Sequence, residues 1–193
     1  HYEINISLFD ALQGTHNGPD EFQIERFTCA HAIMIALEGI PGIYIHSLLG
    51  TPNDHERVRN SGHNRAINRH QWSYPALESH LSDHQSIHHK IYYTLNTLLA
   101  LRRQQPAFHP NATQFTLHMG DQLFGFWRQS MDRQQSIFCI SNISLETQSV
   151  HLSDINLIDN EQWFDLISGQ PCKGQHDIMT IQPYQTVWIT NQH

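Results

Sequence analysis

Gly39-Ile40-Pro41-Gly42-Ile43-Tyr44-Ile45-His46 decides the reading of this chain. It is a short apolar run fenced by glycine and proline, the pattern of a strand buried on both faces in a parallel sheet. Upstream, Asp20 followed by Gln23 gives a capping-box pattern. Ile24, Phe27, His31, Met34 and Leu37 then recur at helical spacing, and Gly39 supplies the stop. Further back, Tyr2 to Ser7 alternates like a strand, and Gln13 to Pro19 reads as a loop. Downstream, a long polar stretch fills Ser47 to Tyr74. A second helix follows over 85–104, its stripe being Ile87, Ile91, Leu95, Leu98 and Leu101, and Pro106 limits it.

Strand–helix–strand–helix is the repeat of a parallel α/β barrel. A closed eightfold barrel takes roughly 250 residues, whereas about 105 stand here before the pattern changes, room for two of the eight units. After Pro106 to Pro110 nearly everything reads as strand. The segments are Gln114–Met119, Leu123–Gln129, Ser136–Asn142, Gln148–Leu152, Gln162–Leu166, Ile178–Ile181 and Thr186–Thr190. Gly120-Asp121 and Ser168-Gly169-Gln170-Pro171 are turn signals between them. The expected fold is therefore α/β plus all-β. The last two β/α units of a (β/α)8 barrel occupy 1–108, and a small antiparallel β-sandwich occupies 109–193.

Composition narrows the function classes. The 193 residues are 39% hydrophobic, enough for globular cores. The formal charge of −7 comes from 18 acidic and 11 basic residues, dispersed along the chain, which argues against nucleic-acid binding through a basic face. The apolar runs are too short to span a membrane. Cys29, Cys139 and Cys172 are odd in number and widely spaced, which predicts a reducing, cytoplasmic location with neither a disulfide framework nor a zinc site. The opening His1-Tyr2-Glu3, in the middle of a strand pattern, suggests a fragment.

Several segments carry a resemblance to one family. Glu25-Arg26-Phe27, the helix after it and Gly39 to His46 resemble the seventh helix and eighth strand of α-amylase-superfamily barrels. Ser47-Leu48-Leu49-Gly50-Thr51-Pro52-Asn53-Asp54 and Arg65-Ala66-Ile67-Asn68-Arg69 are similar to the sucrose phosphorylase subfamily of glycoside hydrolase family 13. In wording they are nearest its glucosylglycerate and sucrose-6-phosphate phosphorylases. Pro183 to Ile189 is similar to the last strand of the family's C-terminal β domain. The resemblance implies a C-terminal fragment of a retaining phosphorylase, which moves a glucosyl group from an α-glucoside to inorganic phosphate and needs no cofactor. Retaining chemistry needs two carboxyl groups about 5–5.5 Å apart, and the family's catalytic acids fall before His1.

The resemblance leaves four substrate- or phosphate-binding candidates here. Arg65 matches an arginine that contacts bound glucose or phosphate. Tyr2 and Glu3 match the end of a loop lining the acceptor site, where sucrose-specific members carry Gln in place of Glu3. Asp54 lies in the loop after the eighth strand, on the face where barrel active sites lie. Each also has a plainer reading: Arg65 as a local ion-pair partner, Glu3 as an outward strand residue, Asp54 as a turn former. His80, His84 and His88 recur every four residues, yet Ser82-Asp83 interrupts the register a metal site would need. Trp127, Trp163 and Trp188 read as sandwich core, with a non-enzymatic carbohydrate-binding or interaction module as the alternative function. An incomplete barrel also predicts self-association through its open edge.

Overall fold

The structure is a computed structural model that describes residues 4–155, 162–172 and 178–192. The chain divides into two compact units, one of residues up to 28 with 42–96, the other of 29–41 with 97 onward.

The first unit is helical. It holds α1 (Leu8–Ala11), a small hairpin of β1 (Gly14–Thr15) and β2 (Gly18–Pro19), and the start of α2 (Gln23–Ala36). After it come α3 (Ile45–Leu48), α4 (His55–Ser61), a 3-10 turn at Asn64–Asn68, α5 (Tyr74–Ser82) and the first part of α6 (Ile87–Arg103). Phe9 meets Phe27 edge to face at 5.4 Å, and Leu49, Ile91 and Leu95 are buried. Gly50 sits at φ +57°, and a Cβ there would stand 2.4 Å from Ile91 Cδ1, so a side chain at this position would strain the backbone and displace the buried Ile91.

Three details of this unit depart from the sequence reading. Ile40 to Tyr44 forms no strand: Tyr44 is the extended N-cap of α3, and Ile40 is 84% exposed. Likewise Ser7, expected to end a strand, caps α1 by accepting from Asp10 N–H at 3.2 Å. A parallel strand exists through ladder partners on its edges, and among the described residues none lies beside either segment. Among the described residues this part of the chain is therefore helical, without the two barrel strands expected. The capping box is also replaced: Asp20 accepts from Phe22 N–H at 2.9 Å and pairs with Arg26 at 2.6 Å, while Gln23 Nε2 donates to Phe9 O.

The second unit is built on strands close to those expected. They are β3 (Thr113–Leu117), β4 (Leu123–Gln129), β5 (Ser136–Asn142), β6 (Gln148–His151), β7 (Trp163–Asp165), β8 (Pro171–Cys172), β9 (Ile178–Ile181) and β10 (Thr186–Thr190). Six form an antiparallel sheet in the order β3-β4-β5-β10-β7-β8; β6 and β9 pair as a second, two-stranded sheet. Alternation sorts the side chains. Phe138, Ile140, Val187 and Ile189 face a core shared with Val150 and Ile181 of the small sheet. The opposite face turns Trp188 onto Phe108, with ring centroids 4.9 Å apart. There Arg128, fully buried, donates to Ala36 O, His109 O and Ala112 O. Asp165 closes the β7–β8 turn by accepting from Ile167 and Ser168 N–H, and from Trp188 N–H across the sheet.

Candidate functional site

The stretch from Ser47 to Tyr74 is held in shape by its own polar residues. Thr51 is buried; its backbone N–H donates to His46 O at 2.8 Å, and its hydroxyl accepts from Trp72 Nε1 at 3.2 Å. Asn53 ties this stretch to α1 twice, accepting from Ser7 N–H at 2.7 Å and donating its own N–H to Asp10 Oδ2 at 2.8 Å.

Asp54 is the hub. Its Oδ1 accepts from Arg57 N–H at 2.8 Å, capping α4, and its Oδ2 lies 2.6 Å from His70 Nδ1. Its backbone N–H donates to Ile67 O at 2.8 Å, which pins the 3-10 turn that carries Arg65. α4 itself ends at Gly62, in the left-handed region with φ +69°. The carboxyl of Asp54 is held below the usual carboxylate range, foremost by the Arg57 N–H; burial opposes this and His70 reinforces it.

Arg65 projects from that turn as an exposed residue, while its neighbour Ala66 is buried and anchors the turn. Asn68, at the end of the turn, accepts at its carbonyl from Tyr44 OH at 3.2 Å. Tyr2 and Glu3 lie outside the described residues; of the other two, Asp54 is bonded through its N–H to Ile67 O in the turn that carries Arg65, not to Arg65 itself.

Sequence reasoning missed the partners of Asp54. His70 packs edge to face on Trp72 at 4.6 Å, and Trp72 also meets His88 at 4.9 Å. His88 Nδ1 is 2.7 Å from Leu49 O, so that nitrogen carries the hydrogen. A cleft of about 280 Å³ is lined by Asp54, His70, Trp72 and His88, and one of about 380 Å³ by Asp54, Arg57, Asn60 and His70. Burial pushes the His88 imidazole below its ordinary value against the raising effect of Leu49 O. His46 is lowered by burial first and by the charges of His70 and Arg57 next. The forewarning in the sequence is compositional: Ser47 to Tyr74 is richer in Asn, Arg, Gly and His than a mere connector requires.

The break expected at Ser82-Asp83 puts His80 and His88 on two helices, where they meet edge to face at 4.9 Å. α5 ends at Ser82, and Asp83 accepts from Gln85 N–H before α6 begins. His84 Nδ1 instead meets His89 Nε2 at 2.9 Å. Among the described residues no three His, Cys, Asp or Glu side chains are grouped to hold a metal ion, and no helix is long and apolar enough to cross a membrane.

No protein-family model matches the chain. It is 36% identical over 189 residues to a glucosylglycerate phosphorylase of Allomeiothermus silvanus, a match covering 97% of this chain and 31% of that protein. It is 32% identical, again over 97% of its length, to a glucosylglycerate phosphorylase of Escherichia coli, covering 32% of it. A sucrose phosphorylase of Bifidobacterium adolescentis is 27% identical over 107 residues, 55% of this chain and 18% of that protein. The chain thus spans about a third of the length of the first two relatives. Among solved structures, the α-amylase of Geobacillus thermoleovorans aligns over 88% of this chain and 34% of its own, with a TM-score of 0.67 at 18% identity. The trehalose-6-phosphate hydrolase of Bacillus licheniformis aligns over 89% and 40%, at 0.62 and 16%. At those identities the likeness is one of fold.

Proposed function

We propose, from the chain's place among relatives that are glucosylglycerate and sucrose phosphorylases, that it is the C-terminal part of a retaining glycoside phosphorylase. The intact enzyme would transfer a glucosyl group from an α-glucoside to inorganic phosphate and release glucose 1-phosphate. A likeness to glucosylglycerate phosphorylases along 97% of the chain carries this reading. In the reaction one carboxylate displaces the leaving alkoxide at the anomeric carbon while a second carboxyl group protonates it. Phosphate oxygen then displaces the enzyme carboxylate, attacking from the face the alkoxide left, so that two inversions give net retention. Both carboxyl groups are assigned to polypeptide outside these residues, so the 193-residue chain alone is inactive. Residues 1–108 are the end of the catalytic barrel and 109–193 its β domain.

The chain's own contribution is binding. Arg65 is the principal group: a guanidinium stays charged at any working pH and forks onto phosphate oxygens or paired hydroxyls. Tyr2 and Glu3 line the acceptor side. Asp54 acts through Arg65 as a positioning residue, since its oxygens serve α4 and His70 while its N–H fixes the turn. The enzyme works in a reducing cytoplasm, a reading that rests on the odd number and wide spacing of Cys29, Cys139 and Cys172.

The exposed apolar residues Ile4, Ile40, Tyr44 and Ile45 support self-association of the isolated chain where barrel strands would pack in the intact enzyme. The test of the binding role is Arg65→Ala in the longer polypeptide. Loss of one charge-assisted contact of about 1.5–3 kcal/mol lowers kcat/KM for phosphate roughly 10- to 150-fold. An unchanged kcat/KM removes Arg65 from the site.

A further inference from the structure

Thr51 and Trp72 tie together the two ends of the stretch that carries Arg65. They stand 21 positions apart, and Trp72 Nε1–H donates to the Thr51 hydroxyl at 3.2 Å. Between them lie the contact of Asp54 Oδ2 with His70 Nδ1 and the bond from Asp54 N–H to Ile67 O. Two imidazoles meet the tie. His46 Nδ1 is 3.3 Å from the Thr51 hydroxyl. The His88 ring meets the Trp72 ring edge to face at 4.9 Å, while its Nδ1 donates to Leu49 O at 2.7 Å. All these residues belong to the first unit.

Each imidazole serves the tie in its neutral form. The Thr51 oxygen accepts from Trp72, so its own hydrogen is free to reach an unprotonated His46 Nδ1. A proton on that nitrogen displaces the hydroxyl hydrogen from the contact. On His88 a second proton goes to Nε2, in a half-buried ring with His80 at 4.9 Å.

The titratable neighbours are mostly basic. Asp54 and α4 bring His55, Glu56 and Arg57; α5 brings His80, and the chain after the 3-10 turn brings His70. Among these described neighbours the carboxylates are Asp54 and Glu56, and Asp54 is taken up by Arg57 N–H and His70. Burial is the main cause holding both His46 and His88 below the ordinary imidazole value. Positive charge adds to it, from His70 and Arg57 at His46 and from His80 and His70 at His88, where Leu49 O opposes it. Opening the tie returns both rings to water and to ordinary values of about 6.5, so opening takes up protons. The closed form is complete above that pH and is lost as pH falls through the two lowered values.

We propose that the Trp72–Thr51 tie, with His46 and His88 against it, is a proton-operated latch on the Arg65 turn, shut at neutral pH and open in mild acid. Its consequence for phosphate binding rests on the reading of Arg65 given above; the latch itself does not.

The test follows the 193-residue chain by NMR as the solution is acidified. The Trp72 indole N–H and the amides of Asp54, Ala66 and Ile67 should move together below about pH 6.5, with a steepness of about two protons. The β4 and β5 amides should hold. His88→Gln and His46→Asn should each cut the steepness to about one proton. Trp72→Phe keeps a ring beside His88 and lacks the N–H, so its turn amides should stand at their acid positions already at neutral pH. The latch is overturned if the turn amides stay in place while the Trp72 indole titrates, or if both histidine variants keep the full steepness. It is equally overturned if the β4 and β5 amides are lost at the same midpoint, which is global unfolding. In the longer polypeptide, the ratio of wild-type KM for phosphate to that of His88→Gln, which cancels the titration of phosphate itself, should rise over the same window. A flat ratio beside an opening turn keeps the latch and removes Arg65 from the binding role.

Discussion

Removing the Asp54 carboxylate should loosen the whole stretch that presents Arg65. Asp54→Ala deletes two contacts of known kind. The N-cap bond to Arg57 N–H contributes about 1 kcal/mol. The charge-assisted contact with His70 would contribute about 1.5–3 kcal/mol in a shielded setting. The His70 side chain is 35% exposed, so solvent screening reduces that contact to about 1 kcal/mol. The sum is a loss of about 2 kcal/mol, readable as a lower urea midpoint for the helical unit, followed by NMR amide intensities of α4 and the 64–68 turn. Asp54→Asn keeps a capping oxygen and should lose about half as much.

The variants also differ in their pH response. The folded-state pKa of Asp54 is depressed, so its contribution is complete above the unfolded carboxylate value of about 3.9 and is lost as pH falls through the folded value. Wild type should therefore lose stability in acid below about pH 4 more steeply than Asp54→Asn. Equal midpoints at neutral pH, together with equal acid slopes, would refute the hub assignment.

His88→Gln should flatten a separate pH dependence. Burial lowers the folded-state pKa of His88, so the unfolded chain takes up the proton first and stability falls as pH drops through about 6.5; urea midpoints at pH 7.5 and 5.5 measure this. Gly50→Ala should cost about 2–4 kcal/mol, from the left-handed φ and the collision with Ile91 Cδ1, read as a shift in the urea midpoint. Arg128→Leu should cost about 3–5 kcal/mol by stranding the carbonyls of Ala36, His109 and Ala112, and Arg128→Lys should recover only part, since an ammonium cannot reproduce the fork. Sedimentation of the isolated chain should show concentration-dependent association that Ile40→Ser and Tyr44→Ser reduce, and a monomer at all concentrations would count against an open barrel edge.

The β unit was legible because its signals are local. Alternation over Ser136–Asn142 and Thr186–Thr190, with turns at Gly120 and Gly169, fixes strands whose partners are all in the chain. The short β8 escaped notice because Pro171 reads as a turn residue. Residues 40–45 misled for the opposite reason: their apolar run matches a buried strand, but pairing is a property of neighbours, and none is present among the described residues. Helix α6 followed its stripe at Ile91, Leu95 and Leu98, whereas α5 went unread because its helical face has little apolar surface. At the candidate site, the Asn53-Asp54 pair was visible as a turn former. Its His70 partner, sixteen residues away, carries no spacing rule that sequence could expose.

We propose that this chain supplies binding groups to a phosphorylase whose attacking and protonating carboxyl groups lie elsewhere. Purified 193-residue chain, incubated with glucosylglycerate or sucrose and inorganic phosphate, should release no glucose 1-phosphate above the protein-free control. Steady release that scales with protein concentration would contradict it.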